Sequence, residues 1–195
     1  MRCLTLLLLI GVITACQGET AEDEVPQEVF VSDTTLIDTL YPPIDDFCKS
    51  IMEKLEICTL SDTVLTQPPC THQFFRVFDY RPNKDWSAGF IVEMIPGLYG
   101  SPVHQLVVIE EYLGKYRIVN QYLGHLLEIR TQFSGYSDLL IGYNDPDVGH
   151  VAMKHVWTGN GYEPVDVEEI NYHYVKPEYK DSINAIFIPA FSAGH

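Results

Sequence analysis

From residue 72 onward the chain is cut into short apolar runs rich in β-branched and aromatic residues. Each run stops at Gly, Pro, Asn or Asp, as at Leu113-Gly114, Ser134-Gly135, Asn144 to Gly149 and Gly159-Asn160-Gly161. The pattern predicts strands at 73–80, 88–95, 103–112, 115–121, 125–132, 137–143, 150–157 and 162–170. Parallel neighbours need crossovers of about a dozen residues or more, and these links are too short for that. Successive strands must therefore pair antiparallel, as a meander.

Ahead of the strands, Ile44, Phe47, Cys48, Ile51, Met52, Leu55 and Cys58 recur at spacings of three and four. They form the apolar stripe of a helix predicted at 43–58, with Lys49, Glu53, Lys54 and Glu56 on the outer face. Pro43, Asp45 and Asp46 suit its first turn. The expected fold class is α+β: an N-terminal helix packed on a curved antiparallel β-meander. The tail is read as a helix started by Pro177 and running over 177–187. The competing reading is an edge strand at 185–191.

Cys48, Cys58 and Cys70 follow the leader described below. Ten helical residues advance about 15 Å, whereas disulfide-linked Cα atoms lie within about 7 Å. Cys48 and Cys58 therefore cannot bond across an intact helix, and Cys70 is the partner of one of them. A strand running back along the helix puts Cys70 beside the helix end and favours Cys58–Cys70. Residues 59–69 are also long enough to bring Cys70 to Cys48, so that pairing stays open.

The first residues have a lone charge, Arg2, then an apolar run from Leu4 to Ile13 and small residues before Cys16. That is the layout of a secretory signal peptide, and the run is shorter than the ~20 residues of a membrane span. Ile13-Thr14-Ala15-Cys16 resembles the lipobox of bacterial lipoproteins. The resemblance implies removal of residues 1–15 and acylation of Cys16, with a palmitate-type chain beside a diacylglyceryl thioether. More than one chain gives stable anchoring. Residues 16–28 then form a lipidated, acidic tether, and 29–195 form a single domain. Gln17 departs from the Asp of inner-membrane retention, which implies an outer-membrane location in the cell envelope.

The formal net charge is −15, and loss of Arg2 with the leader makes it one unit more acidic. Phosphate binding draws on clustered Lys and Arg, so nucleic acid is excluded as a partner. Zinc-type spacing of Cys and His is absent from the sequence, as are HExxH and GxSxG. His150 and His155 are five apart, which in a regular strand sends them to opposite faces. The acidic pairs Glu110-Glu111 and Glu168-Glu169 are split across strand faces in the same way. No cofactor, metal or catalytic residue is expected. Asn144 to Gly149 reads as a turn.

Residues 135–162 run from Gly135 through Asp138-Leu139-Leu140-Ile141-Gly142 to a strand ending at Trp157, then Gly159-Asn160-Gly161-Tyr162. This segment is similar to one unit of the FG-GAP/VCBS type of β-repeat. The resemblance implies three consecutive antiparallel strands. One unit cannot build a propeller, and the alternating Asp/Asn calcium loop of those repeats is missing ahead of Asp138. All but one of the tyrosines lie between Tyr80 and Tyr179. A tyrosine offers an apolar face and a polar tip to a partner. Tyr136, Tyr143, Trp157 and Tyr162 are the candidate binding surface. The expected function is non-catalytic binding by a lipid-anchored envelope protein, with a protein or glycan partner, inhibition of an enzyme included. The alternative is an envelope hydrolase whose carboxylates assemble in space.

Overall fold

A computed structural model of the chain describes residues 42–61, 66–81, 88–96, 103–133 and 135–192. All of them belong to the unit Asp33–His195. The predicted leader, the predicted acidic tether and residues 29–41 lie outside the described residues.

The first described element is helix α1, Asp46–Lys54. Asp45 caps it: its Oδ1 accepts a hydrogen bond from Cys48 N at 2.7 Å, satisfying one of the orphan donors of the first turn. Pro43 therefore lies before the cap instead of inside the first turn. At the other end the Ile57 N–H donates to Met52 O and the Glu56 N–H to Glu53 O, both near 3 Å. Glu56 is left-handed at φ 60°. These bonds form a Schellman stop, which ends the helix four residues short of the predicted 58. Cys58 is then free to turn toward Cys70, and the two form a disulfide with Cα atoms 5.1 Å apart. Thr59 holds the returning chain by bonds to Pro68 O and from Cys70 N. Cys48 remains a buried free thiol, its pKa pushed up to about 12 by burial and by Asp45.

Four strands follow as an antiparallel sheet in the order β1–β2–β3–β4: Phe75–Tyr80, Gly89–Met94, Gln105–Tyr112 and Lys115–Tyr122. In-register partners share a face, so Phe78, Ile91 and Val108 point one way, and Val77, Val92 and Val107 the other. The second face packs on α1: Phe75, Phe90, Val92 and Ile109 cluster with Ile44, Ile51, Met52 and the disulfide. Phe47 departs from the expected stripe. It is 60 % exposed and meets Tyr116 edge-on, ring centres 5.6 Å apart. The β3–β4 hairpin turns on Leu113 and Gly114, both at positive φ, as a two-residue loop that follows the strand twist requires.

A second antiparallel sheet has the order β5–β6–β7–β8–β9: His125–Arg130, Asp138–Asp145, Gly149–Trp157, Tyr162–Ile170 and His173–Tyr174. The three strands expected from the repeat-like segment are β6, β7 and β8, consecutive and antiparallel. The chain passes from β4 to β5 through Leu123-Gly124. A Cβ on Gly124 would lie 2.7 Å from the carbonyl oxygen of Gly142, so only glycine lets the chain cross there. One core joins the sheets: Tyr80, Ile91, Leu106, Val108 and Tyr122 from the first with Leu139, Ile141, Tyr143, Val151 and Met153 from the second.

The tail is helix α2, Pro177–Ser192, longer than expected and carrying Pro189 inside it. It runs beside β8, whose far edge β9 covers only at Glu169 and Ile170. Asn184 replaces the missing strand partner: its Oδ1 accepts from Val167 N at 2.8 Å while its Nδ2 donates to Asp166 Oδ1 at 2.9 Å. Lys180 pairs with Asp166. An open strand edge is thereby closed by a side chain.

Candidate functional site

The four aromatic residues predicted as a surface do not form one. Tyr143 and Tyr162 are 4 % and 2 % exposed and belong to the core. Alternation put them on the inner face of the second sheet, where large aromatic rings fill the space against the first. Tyr162 shares a hydrogen bond with Tyr80 through the hydroxyls and donates to Ser137 O at 2.9 Å. Tyr122 donates to Tyr162 O at 3.0 Å. Burial drives the phenol pKa values of Tyr80, Tyr122, Tyr143 and Tyr162 upward, so all four stay neutral donors. Tyr136 and Trp157 are half-buried and stack at 4.2 Å with rings 8° from parallel. The Tyr136 hydroxyl donates to Glu110 Oε1 at 2.8 Å.

His150 and His155 fall into separate networks, as their spacing requires. His155 is fully buried. Its Nε2 is 3.0 Å from Tyr143 Oη and its Nδ1 3.1 Å from Met153 O. The carbonyl can only accept, so Nδ1 carries the proton and Nε2 accepts from the tyrosine. His150 instead joins two histidines that sequence inspection did not single out. His104, just before β3, lies 5.3 Å from His125, ring centre to ring centre. His125, which opens β5, lies 5.5 Å from His150 near the start of β7.

Gly142 is what lets these rings approach. It sits in β6, opposite His125. A Cβ there would lie 2.6 Å from His125 Nε2 and 2.8 Å from His150 Nε2. The two nitrogens are therefore no further apart than the sum of those distances, over a bare stretch of backbone. Each outer ring is held from behind. His104 Nδ1 lies 2.5 Å from Oε1 of Glu93, a carboxylate 1 % exposed with Arg76 Nη1 at 3.8 Å. The approach lacks hydrogen-bond geometry, and Nδ1 and Oε1 are both buried without a hydrogen-bond partner among the described residues. His150 is stacked under Tyr172 at 4.4 Å and 8°.

The β8–β9 turn is fastened to the His150 backbone. Asn171 Oδ1 accepts from His150 N at 3.1 Å, and Asn171 N donates to His150 O at 2.7 Å. Asn171 and Tyr172 both have positive φ, uncommon for a bulky residue such as Tyr172. His150 itself is 5 % exposed, and neither ring nitrogen has a hydrogen-bond partner among the described residues. The His125 pKa is lowered, chiefly by burial and then by His104, His150 and Arg76.

The buried carboxylates are each engaged separately. Glu93 is held as above, Glu110 by Arg117 at 3.3 Å and by Tyr136, and Asp138 by Lys154 at 2.8 Å and by Gln132. Glu168 takes two bonds from Arg130. The 144–149 loop is a side-chain-closed turn, in which Asp145 Oδ1 accepts from the backbone of Asp147 and Val148, both at 2.9 Å. A cleft of about 490 Å³ is lined by residues including Gln105, Asn120, Gln121 and Leu123, with none of the three histidines in its wall.

The histidines stand on three separate strand ends, and no local motif links them. The one local signal was Gly142 inside an otherwise apolar strand, since a strand-interior glycine marks a close approach. Comparison of the chain with protein-family models, curated proteins and solved structures gives no match.

Proposed function

We propose that this chain is a lipid-anchored protein of the bacterial outer membrane, held by an acylated Cys16, that works by binding a protein or glycan partner without transforming it. The observation that carries the reading is the Cys58–Cys70 disulfide in a chain headed by Ile13-Thr14-Ala15-Cys16. A protein disulfide of this kind persists in oxidising, exported compartments, which is where the leader would send the chain. The acidic balance supports a partner with a basic surface, drawn in by long-range attraction.

The aromatic contact surface is assigned to a different set from the one the sequence suggested. Tyr172, Tyr174 and Tyr179 are 75 %, 79 % and 57 % exposed and follow one another from the β8–β9 turn into the first turn of α2. Exposed tyrosines suit protein or sugar contact. Binding is preferred to hydrolysis because Glu93, Glu110 and Asp138 are each engaged by a cation. A glycosidase-type pair would need two carboxyls facing one substrate.

The test uses Cys16→Ala in the native host. The variant is expected to accumulate as an uncleaved or soluble form that leaves the detergent phase. Partition of the variant into detergent at the mature mass would refute the anchor. For binding, a crosslinked pull-down from solubilised membranes is expected to enrich one partner in a salt-sensitive manner. Enrichment unchanged by Tyr172→Ala and Tyr174→Ala together would refute the assigned surface.

A further inference from the structure

The tip of the β3–β4 hairpin carries a residue that folding does not ask for. A two-residue hairpin turn with both φ values positive is served by Asn-Gly or Asp-Gly. Here the first position is Leu113, at φ 53°, and its side chain is 86 % exposed. A leucine so placed strains the turn and leaves its apolar surface in solvent. Residues that break a local rule without a gain in packing are expected at functional sites. Beside it, Tyr112 is also exposed, with the Arg117 guanidinium 4.5 Å over its ring.

Helix α1 brings a further exposed apolar group to the same place. A cleft of about 260 Å³ between α1 and the hairpin is lined by Ile51, Lys54, Leu55, Gly114, Lys115 and Tyr116. Tyr116 also meets Phe47, the exposed member of the α1 stripe. Leu113 and Phe47 thus flank a cleft whose lining includes two lysines. Three nearby carboxylates are engaged: Asp46 by Lys49 at 3.1 Å, Glu110 by Arg117 at 3.3 Å and Glu53 by the Leu60 N–H at 3.0 Å. Lys54 and Lys115 are exposed and form no ion pair among the described residues.

Exposed apolar groups gathered in one place mark a contact surface. The partner that fits has an apolar interior under a layer of phosphate. At such an interface Leu and Phe enter the acyl boundary, Tyr lies at headgroup level, and Lys reaches the phosphates. The chain itself points to this partner. Its anchored end enters the described residues at 42, just ahead of Phe47. Anchoring also keeps the bilayer at high local concentration, so a small surface suffices. We propose that the β3–β4 tip and α1 dock on a phospholipid bilayer, with Leu113, Tyr112 and Phe47 in the interface and Lys54 and Lys115 on headgroup phosphates. This rests on the Cys16 anchor proposed above.

The experiment reconstitutes the full chain in vesicles of phosphatidylethanolamine and phosphatidylglycerol. A nitroxide is placed on Leu113→Cys or on Val165→Cys, an exposed position on β8 of the other sheet. Cys48 is buried and Cys58 and Cys70 are bonded, so none of them competes for the label. Flotation with the vesicles reads the anchor, and power saturation of the electron paramagnetic resonance signal reads the contact. The chain is expected to float. The label at 113 should be relaxed more by oxygen, which concentrates in the bilayer, than by a water-soluble nickel chelate, and the order should reverse at 165. Phe47→Asp, at an exposed position, should remove the oxygen preference at 113. Water-like access at 113 in a chain that floats overturns the docking and leaves the anchor standing. A chain that does not float refutes the anchor and the docking with it.

Discussion

Removal of the Cys58–Cys70 disulfide should destabilise the folded domain by an amount the structure allows to be worked out. The bond closes a loop of sequence separation 12. Chain statistics put the entropy removed from the unfolded state at about 9.5 cal/mol/K for such a loop, or ~3 kcal/mol at 25 °C. At about 2–4 °C per kcal/mol for a domain of this size, the midpoint of thermal unfolding should fall by about 6–12 °C. Two perturbations bracket the value. Reduction leaves two thiols at positions 0 % and 4 % exposed, whereas Cys58→Ala with Cys70→Ala leaves a small void in the core cluster that also holds Met52 and Phe75. Both should be followed by far-ultraviolet circular dichroism against temperature and against urea. An oxidised and a reduced protein that melt within about 1 °C of each other would refute the reasoning, because the α1–β1 connection would then be held by packing alone.

Asp45→Ala should cost about 1 kcal/mol in urea unfolding, through loss of the cap on Cys48 N. The folded-state pKa of Asp45 is lowered, first by the backbone hydrogen bond from Cys48. Its stabilisation is therefore fully present above the unfolded-state carboxyl pKa and is lost as pH falls through the lower folded value; the wild-type minus variant difference should vanish on acidification. Asn184→Ala leaves the buried Val167 N–H without its acceptor and should cost about 1–3 kcal/mol. Hydrogen exchange at Val167 should accelerate, and unchanged exchange there would show that α2 does not close the β8 edge.

Much of the scaffold was legible locally. Strand positions followed from alternation and turn residues because both are properties of neighbours in the chain. Antiparallel order followed from connection length, and the α1 stripe from a period of three to four. Helix length ruled out Cys48–Cys58, a strand returning along the helix favoured Cys58–Cys70, and the structure adopts that pairing. The helix end itself was misplaced. Glu56 takes the left-handed conformation where a glycine would have signalled the stop, so composition carried no mark of it.

What only the tertiary structure decided was which of two faces a residue turns to the interior, and which distant strand ends meet. Alternation places Tyr143 and Tyr162 on one face of a strand, but whether that face meets solvent depends on where the other sheet lies. Tyr136 keeps partial exposure because it stacks on Trp157 instead of entering the core. His104, His125 and His150 belong to three strand ends far apart in sequence. They come together because the chain crosses from β4 to β5 at Gly124 and because Gly142 leaves room above the backbone. Local periodicity specifies strands and their pairing, since it depends on near neighbours. A site assembled across two sheets depends on how those sheets are set against each other, which is fixed by packing over the whole core.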